Sequence, residues 1–324
     1  MKIDLWTSLG IASVLLVVAE FLYFKIAERF KIIDKPNERS SHVHPIIRGG
    51  GIIFLFSILF WFIQSDFQWP WFVLAVSMIA VISFLDDVTS TKAIVRFLIQ
   101  LVAMLLIFYQ LWPIHWHLFV LLILLIVFIG TLNAFNFMDG INGITGVYAL
   151  VALITFDSIH RWIVHFTNGH LLLFVSASVV IFLFFNFRKT ARCFAGDVGS
   201  VTIALVLIFV MIQLMIATNS FLWILLFLVY GIDSIVTIVY RLKRKENIFK
   251  AHRTHLFQYL SNEMRIPHLV VSSIYGLSQI IFNLILVWSY INSNSIIPIA
   301  TALIYGLSYL VLRNVVIKKV QLKS

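Results

Sequence analysis

Two adjacent carboxylates, Asp86 and Asp87, close an apolar run that starts near Trp69 (WPWFVLAVSMIAVISFLDD). Charge at the lip of such a run is expensive to place, so it calls for a reason. Neighbouring acids repel unless a cation or a proton comes between them. That suits either a divalent ion such as Mg²⁺ or proton transfer from a carboxyl of raised pKa. Ordinary helix capping accounts for one aspartate well and for two at a lipid boundary less well. Arg96 and Gln100, four apart, share a face of the helix that follows.

Other apolar runs end on the same kinds of group. In NAFNFMDGING, Asn133, Asn136 and Asp139 recur at every third residue before Gly140 and Gly143 permit a tight turn. This amide and carboxylate stripe, with no Lys or Arg beside it, invites a metal, a base or a sugar hydroxyl, although Asn and Asp-Gly are also ordinary turn residues. In FAGDVGS, Asp197 follows Gly196, Asn186 closes the helix before it and Ser200 opens the next; capping competes with function there. In AHRTHLFQ, His252, Arg253 and His255 lie in a basic loop. With no H-E-x-x-H pattern or cysteine set, phosphate recognition suits them better than zinc. Asp233 lies about two turns inside the preceding run, as a buried partner for this group or as a lone polar contact. Near the N-terminus, Arg39, Ser40, Ser41, His42 and Arg48 offer donors, and Gly49 to Gly51 allow close backbone approach; a solvated loop is the plainer alternative.

The elements that must hold these groups follow from composition. The chain is 61% hydrophobic and 12% charged, with a mean hydropathy of +1.00, which excludes an ordinary soluble domain and makes this an all-α polytopic membrane protein. Runs long enough to cross a bilayer are expected near 5–27, 50–65, 70–85, 93–112, 117–136, 143–158, 170–187, 199–217, 220–240, 268–290 and 295–314, giving ten or eleven spans. If the N-terminus is outside, 22 of the 24 Lys and Arg fall on inner segments and only Lys2 and Arg161 stay out. By the positive-inside rule the C-terminus and the chemistry-bearing loops are then cytoplasmic. The net charge of +10 describes a membrane face drawn to anionic headgroups or phosphorylated ligands, and not to nucleic acid. Cys193 is the only cysteine, so no internal disulfide forms. The first run has no evident small-residue cleavage site and reads as an anchor. Residues 1–324 read as one domain, without repeat or linker. His115, His117, His160, His165 and His170 fall in outer loops away from clustered acids, and the many Phe and Trp read as packing or interfacial residues.

Taken in order, DKPNERSSHVHPIIRGGG, LDD followed by RFLIQ, NAFNFMDGINGI, FAGDVGS and AHRTHLFQ resemble the polyprenyl-phosphate N-acetylhexosamine-1-phosphate transferases, the family of the MraY translocase and the WecA-type enzymes. The R-S-S-H and A-H-R-T-H-x-x-Q segments are more similar to the branch that starts O-antigen or capsule chains. The resemblance implies transfer of sugar 1-phosphate from a UDP-N-acetylated sugar, N-acetylglucosamine by default, to undecaprenyl phosphate in the bacterial inner membrane. UMP is released, in the first membrane step of a surface polysaccharide. It further implies Mg²⁺, with Mn²⁺ as a substitute, and is compatible with a homodimer. By matched position, Asp197 would bind the metal. Asp86 and Asp87 would bind metal or deprotonate the lipid phosphate, and Asn136 and Asp139 would hold nucleotide or metal. Asn186 would border the pocket; His252, Arg253 and His255 would grip diphosphate or sugar, with Arg48 assisting; Asp233 matches a recurring acid. Two departures stand out: NFRKTARCFAGD lacks the proline usual in relatives, and Asn142 replaces an aspartate of the translocase branch. The alternative from another class is a transporter or flippase for a lipid-linked or anionic solute, which would place binding groups near mid-membrane.

Overall fold

The protein is described by a computed structural model over residues 4–34, 45–247 and 253–322. Helix α1 (Leu5–Phe30) starts at Asp4, whose carboxylate accepts the Trp6 and Thr7 N–H groups, and stops at Lys31 in the left-handed region. A 3-10 turn (Gly50–Ile52) leads into α2 (Ile53–Gln64). Then come α3 (Pro70–Thr89), α4 (Ala93–Gln110), α5 (Leu118–Met138), α6 (Ile144–Trp162), α7 (Gly169–Asn186) and α8 (Gly196–Thr218). A 3-10 segment (Phe221–Phe227) runs into α9 (Leu228–Lys243). The short turn α10 (Leu256–Gln258) precedes α11 (His268–Ile291) and α12 (Ile296–Gln321).

Each expected span therefore meets a helical segment. Among the described residues, nine segments are long and apolar enough to cross a membrane by length and composition; the other two of the expected runs are also helical but fall short of that measure. The two that fall short do so for different reasons. Gly50–Gln64 reaches only roughly 22 Å at a helical rise, less than the ~30 Å hydrocarbon layer. Helix α6 is long but more polar, and it packs against α7, α8 and α11, so that it faces protein rather than lipid.

Helix α8 is the axis of the bundle. Most of its surface is buried, against α3, α5, α6 and α2. A helix enclosed on all sides needs apolar residues on all sides, and its sequence has them. The described flanks of the first polar loop pair with each other. Ile33–Asp34 pairs antiparallel with Ile46–Ile47, and Ile47 bridges on to Cys193. This small ladder pins Arg48 and the glycines after it to the entrance of α8.

Candidate active site at the helix ends

The polar groups gather where α3 and α5 end and α8 begins. Glycine makes the approach possible. Gly50 N–H donates to Phe194 O at 2.8 Å and Gly51 N–H to Ala195 O at 3.1 Å, so backbone lies directly on backbone. A Cβ on Gly199 would stand 2.6 Å from Gly51 Cα, and one on Gly196, which has φ +70°, 2.6 Å from an Asp87 carboxylate oxygen. Side chains there would drive the two segments apart, and Arg48 away from the acids.

Arg48 links the elements. Its Nε lies 2.6 Å from Asp87 Oδ1 and its Nη2 2.8 Å from Asp197 Oδ1, while its carbonyl accepts the Tyr23 hydroxyl at 2.5 Å. Burial opposes the guanidinium charge, but Asp87 and Asp197 outweigh it and hold the pKa above its usual value.

The two adjacent aspartates divide their work, as two helical neighbours about 100° apart can. The Asp87 side chain has 0% exposure. Its oxygens also accept the N–H groups of Asp197 at 2.9 Å and Val198 at 3.0 Å. It therefore caps the start of α8 from across the bundle, where a helix N-terminus favours negative charge. Asp87, expected to bind metal or deprotonate the lipid phosphate, thus stands against Arg48 and the first turn of α8. Asp86 is more open. It accepts the Thr91 N–H at 2.5 Å and hydroxyl at 2.8 Å and pairs with Arg96, whose Nη1 also lies 3.7 Å from Asp197 Oδ2.

Helix α5 supplies the next wall. Asn136 donates to Asp197 Oδ2 at 3.3 Å and accepts the Ser200 hydroxyl at 3.2 Å. Asn133, the first of the stripe, is engaged elsewhere, with Gln100 at 3.0 Å. Asp139 accepts the Thr145 hydroxyl at 2.8 Å. Burial pushes its pKa up to about 7, resisted by Thr145 and reinforced by the charge of Asp197.

The segment after α9 forms a further wall. His255 Nδ1 lies 2.8 Å from Asp233 Oδ1, Asp233 Oδ2 accepts the Tyr275 hydroxyl at 2.5 Å, and Phe257 packs where a Cβ on Gly140 would come within 3.1 Å. His255 thus stands over Asp233 beside the Asp139 turn. Asp233, expected among the substrate contacts, has 0% exposure and bonds the imidazole and the Tyr275 hydroxyl. Arg253 lies 3.6 Å from Glu263. His252, with Arg39, Ser40, Ser41 and His42, lies outside the described residues.

Asn186, expected to border the pocket, is buried; its amide donates to Cys193 O at 2.8 Å and accepts the Gly143 N–H at 2.7 Å, so both groups clasp backbone. Asn142 likewise holds the Arg188 and Lys189 carbonyls. Sequence reasoning placed Arg96 only by its helix face, and missed Thr145, Tyr23 and Tyr275. A cation one turn inside an apolar run was a usable signal for Arg96; the other three carry none.

Among the described residues, no three Asp, Glu, His or Cys side chains already converge on a metal position, because Arg48 and Arg96 lie against the acids. The balance is still acidic: Asp86, Asp87, Asp139 and Asp197 face two guanidinium groups. The surplus sits on hard oxygen donors of the type a magnesium ion takes, so the donor set fits such an ion.

Residues 69–215 match the model of glycosyl transferase family 4. That stretch runs from α3 into α8 and carries Asp86, Asp87, Asn136, Asp139 and Asp197, whereas Arg48, Asp233 and His255 lie outside it. Comparison with curated proteins gives no match. Over residues 69–215, somewhat less than half of its length, this multi-pass membrane protein is similar to glycosyl transferase family 4, a likeness that supports a polyprenyl-phosphate sugar-phosphate transferase in general.

Proposed function

We propose that the protein transfers N-acetylhexosamine 1-phosphate, N-acetylglucosamine by default, from a UDP-sugar to undecaprenyl phosphate. The reaction takes place at the cytoplasmic face of a bacterial inner membrane and opens the synthesis of a surface polysaccharide such as O-antigen. The observation that carries this reading is the cluster in which Arg48 and Arg96 meet Asp86, Asp87 and Asp197 at the start of α8.

The chemistry asks for such a cluster. An oxygen of the lipid phosphate bonds to the phosphorus that bears the sugar, the bond from that phosphorus to UMP breaks, and UMP leaves with the electron pair. Two anions must meet, so cationic groups have to screen them and fixed dipoles have to position them. Arg48 and Arg96 line the approach from one side, and Arg253, His255 and His252 serve the diphosphate or sugar from the other. Asp86, the more open of the adjacent acids, is suited to take a proton from the lipid phosphate. Asn136 and Asp139 face the nucleotide. Mg²⁺, or Mn²⁺ in its place, would be held by Asp197, Asp139 and Asp86 and would neutralise phosphate charge when bound.

Incubation of the purified protein with undecaprenyl phosphate, Mg²⁺ and a panel of UDP-N-acetylated sugars, followed by UMP detection, tests the reading and ranks the sugars. UMP release that requires the lipid is the expected result. Silence with every UDP-N-acetylated sugar would overturn the assignment.

A further inference from the structure

The span that carries Asp233 is not a continuous α-helix. Seven residues, Phe221–Phe227, are wound as a 3-10 helix before α9 begins at Leu228. Such runs rarely exceed three or four residues, and one inside a span marks a place where something holds the backbone open. The segment FLWILLFLV contains no Gly or Pro to explain it. At a 3-10 rise, the change of winding falls roughly 14 Å from the outer end, inside the hydrocarbon layer, where backbone groups need partners.

Gln279 of α11 supplies them. Its Oε1 accepts the Val229 N–H at 3.0 Å and its Nε2 donates to the Leu225 carbonyl at 3.2 Å. Residues 225 and 229 are the two that would bond to each other in an uninterrupted α-helix. The side-chain amide is inserted into that bond and replaces it. It is itself held: Tyr148 donates to Oε1 at 2.6 Å, and Nε2 also donates to Asn283 at 2.7 Å, which in turn donates to Thr155 at 2.9 Å. Gln279 has 0% exposure, and it bonds backbone and neutral side chains, so this break is not an ion site.

We propose that Gln279 is a positioning residue for the transfer reaction. By wedging the helix open at Leu225–Val229 it sets the direction and rotation of α9. One turn further on, α9 presents Asp233 to His255 and Tyr275. The proposal rests on the functional reading of His255 given above.

The test uses the full-length protein in detergent or nanodiscs, with UMP release per folded molecule as the readout. Q279M, close in volume but without the amide, is expected to lower kcat on the order of 10- to 100-fold, as misplacement of a catalytic wall by about an ångström does. Q279E, whose protonated carboxyl offers one acceptor and one donor, is expected to recover most of that loss at low pH and lose it again as pH rises. Combining Q279M with D233N should lower activity no further than D233N alone, because both act through the same imidazole. If H255A retains full activity, the reading of the site fails. If H255A is impaired while folded Q279M turns over at the wild-type rate, or if Q279M and D233N losses multiply, the positioning role is overturned.

Discussion

At the scale of single residues, the acids differ in what they have left to offer. Asp87 has both oxygens bonded and no exposed side-chain surface, whereas Asp86, bonded to Thr91 and paired with Arg96, keeps 8% of its side chain exposed. Asp87→Asn should therefore reduce both stability and activity. The loss of stability is expected to be about 1–3 kcal/mol, less than for a wholly buried pair because Arg48 is partly exposed. Asp86→Asn should abolish turnover at a smaller cost in stability than Asp87→Asn, since the amide oxygen can keep the Thr91 bonds and the lost pair is with a partly exposed Arg96. Equal destabilisation by the two variants would show that the division of labour is wrong. Asp139 gives a pH signature. Its pKa in the fold, about 7, lies above the ordinary 3.8, so the neutral form is the one the fold favours. That contribution is complete below about pH 4 and is lost as pH rises through 7. The metal-free protein should melt at progressively lower temperature from pH 5 to pH 8, and Asp139→Asn should flatten that trend. An unchanged slope in the variant would assign it to another group.

At the scale of elements, the contact between the glycine segment and α8 decides whether the site exists. Gly199→Ala places a methyl against the Gly51 backbone, which cannot swing aside as a side chain would. The expected result is a melting temperature lowered by the equivalent of 1–3 kcal/mol or more, with activity lost because Arg48 moves with Gly51. A variant as stable and active as wild type would show the contact to be slack. The apolar runs located the helices because a chain in lipid must satisfy its backbone within each run. The polar motifs located the helix ends that meet, since charge is tolerated there only for a reason. Pairings between distant elements carried no such mark. Nothing around Asp87 reveals that it caps a helix that starts at Gly196, and nothing in FLWILLFLV reveals a break caused by a glutamine on α11. Asn186 shows the same limit: an amide that clasps two backbones and an amide that binds a ligand look alike in sequence.

At the scale of the whole molecule, one side of the bundle collects the chemistry and the positive charge together. Helices α3, α5 and α9 end on that side and α8 starts there, which brings Asp86, Asp87, Asp139, Asp197 and His255 to a common level. If the N-terminus is outside and the eleven expected runs alternate, 22 of the 24 Lys and Arg are expected on that side. A basic face is drawn to anionic lipid and phosphorylated substrates, and the proposed donor is supplied from the cell interior, so the proposed reaction requires the site to face inward. The orientation can be measured with little alteration of the protein. Cys193, its only cysteine, is buried, and burial beside Glu20 pushes its thiol pKa well above the usual value, so it should react poorly with a membrane-impermeant maleimide. His165 and Lys319 are exposed at opposite ends of the bundle. In intact cells, with the outer membrane made permeable, His165→Cys should be labelled and Lys319→Cys should be labelled only after the inner membrane is opened. The reverse pattern would turn the acidic cluster away from the cell interior and remove the donor from reach. Inward orientation would therefore be lost as a premise of the proposed reaction, even with every contact in the site unchanged.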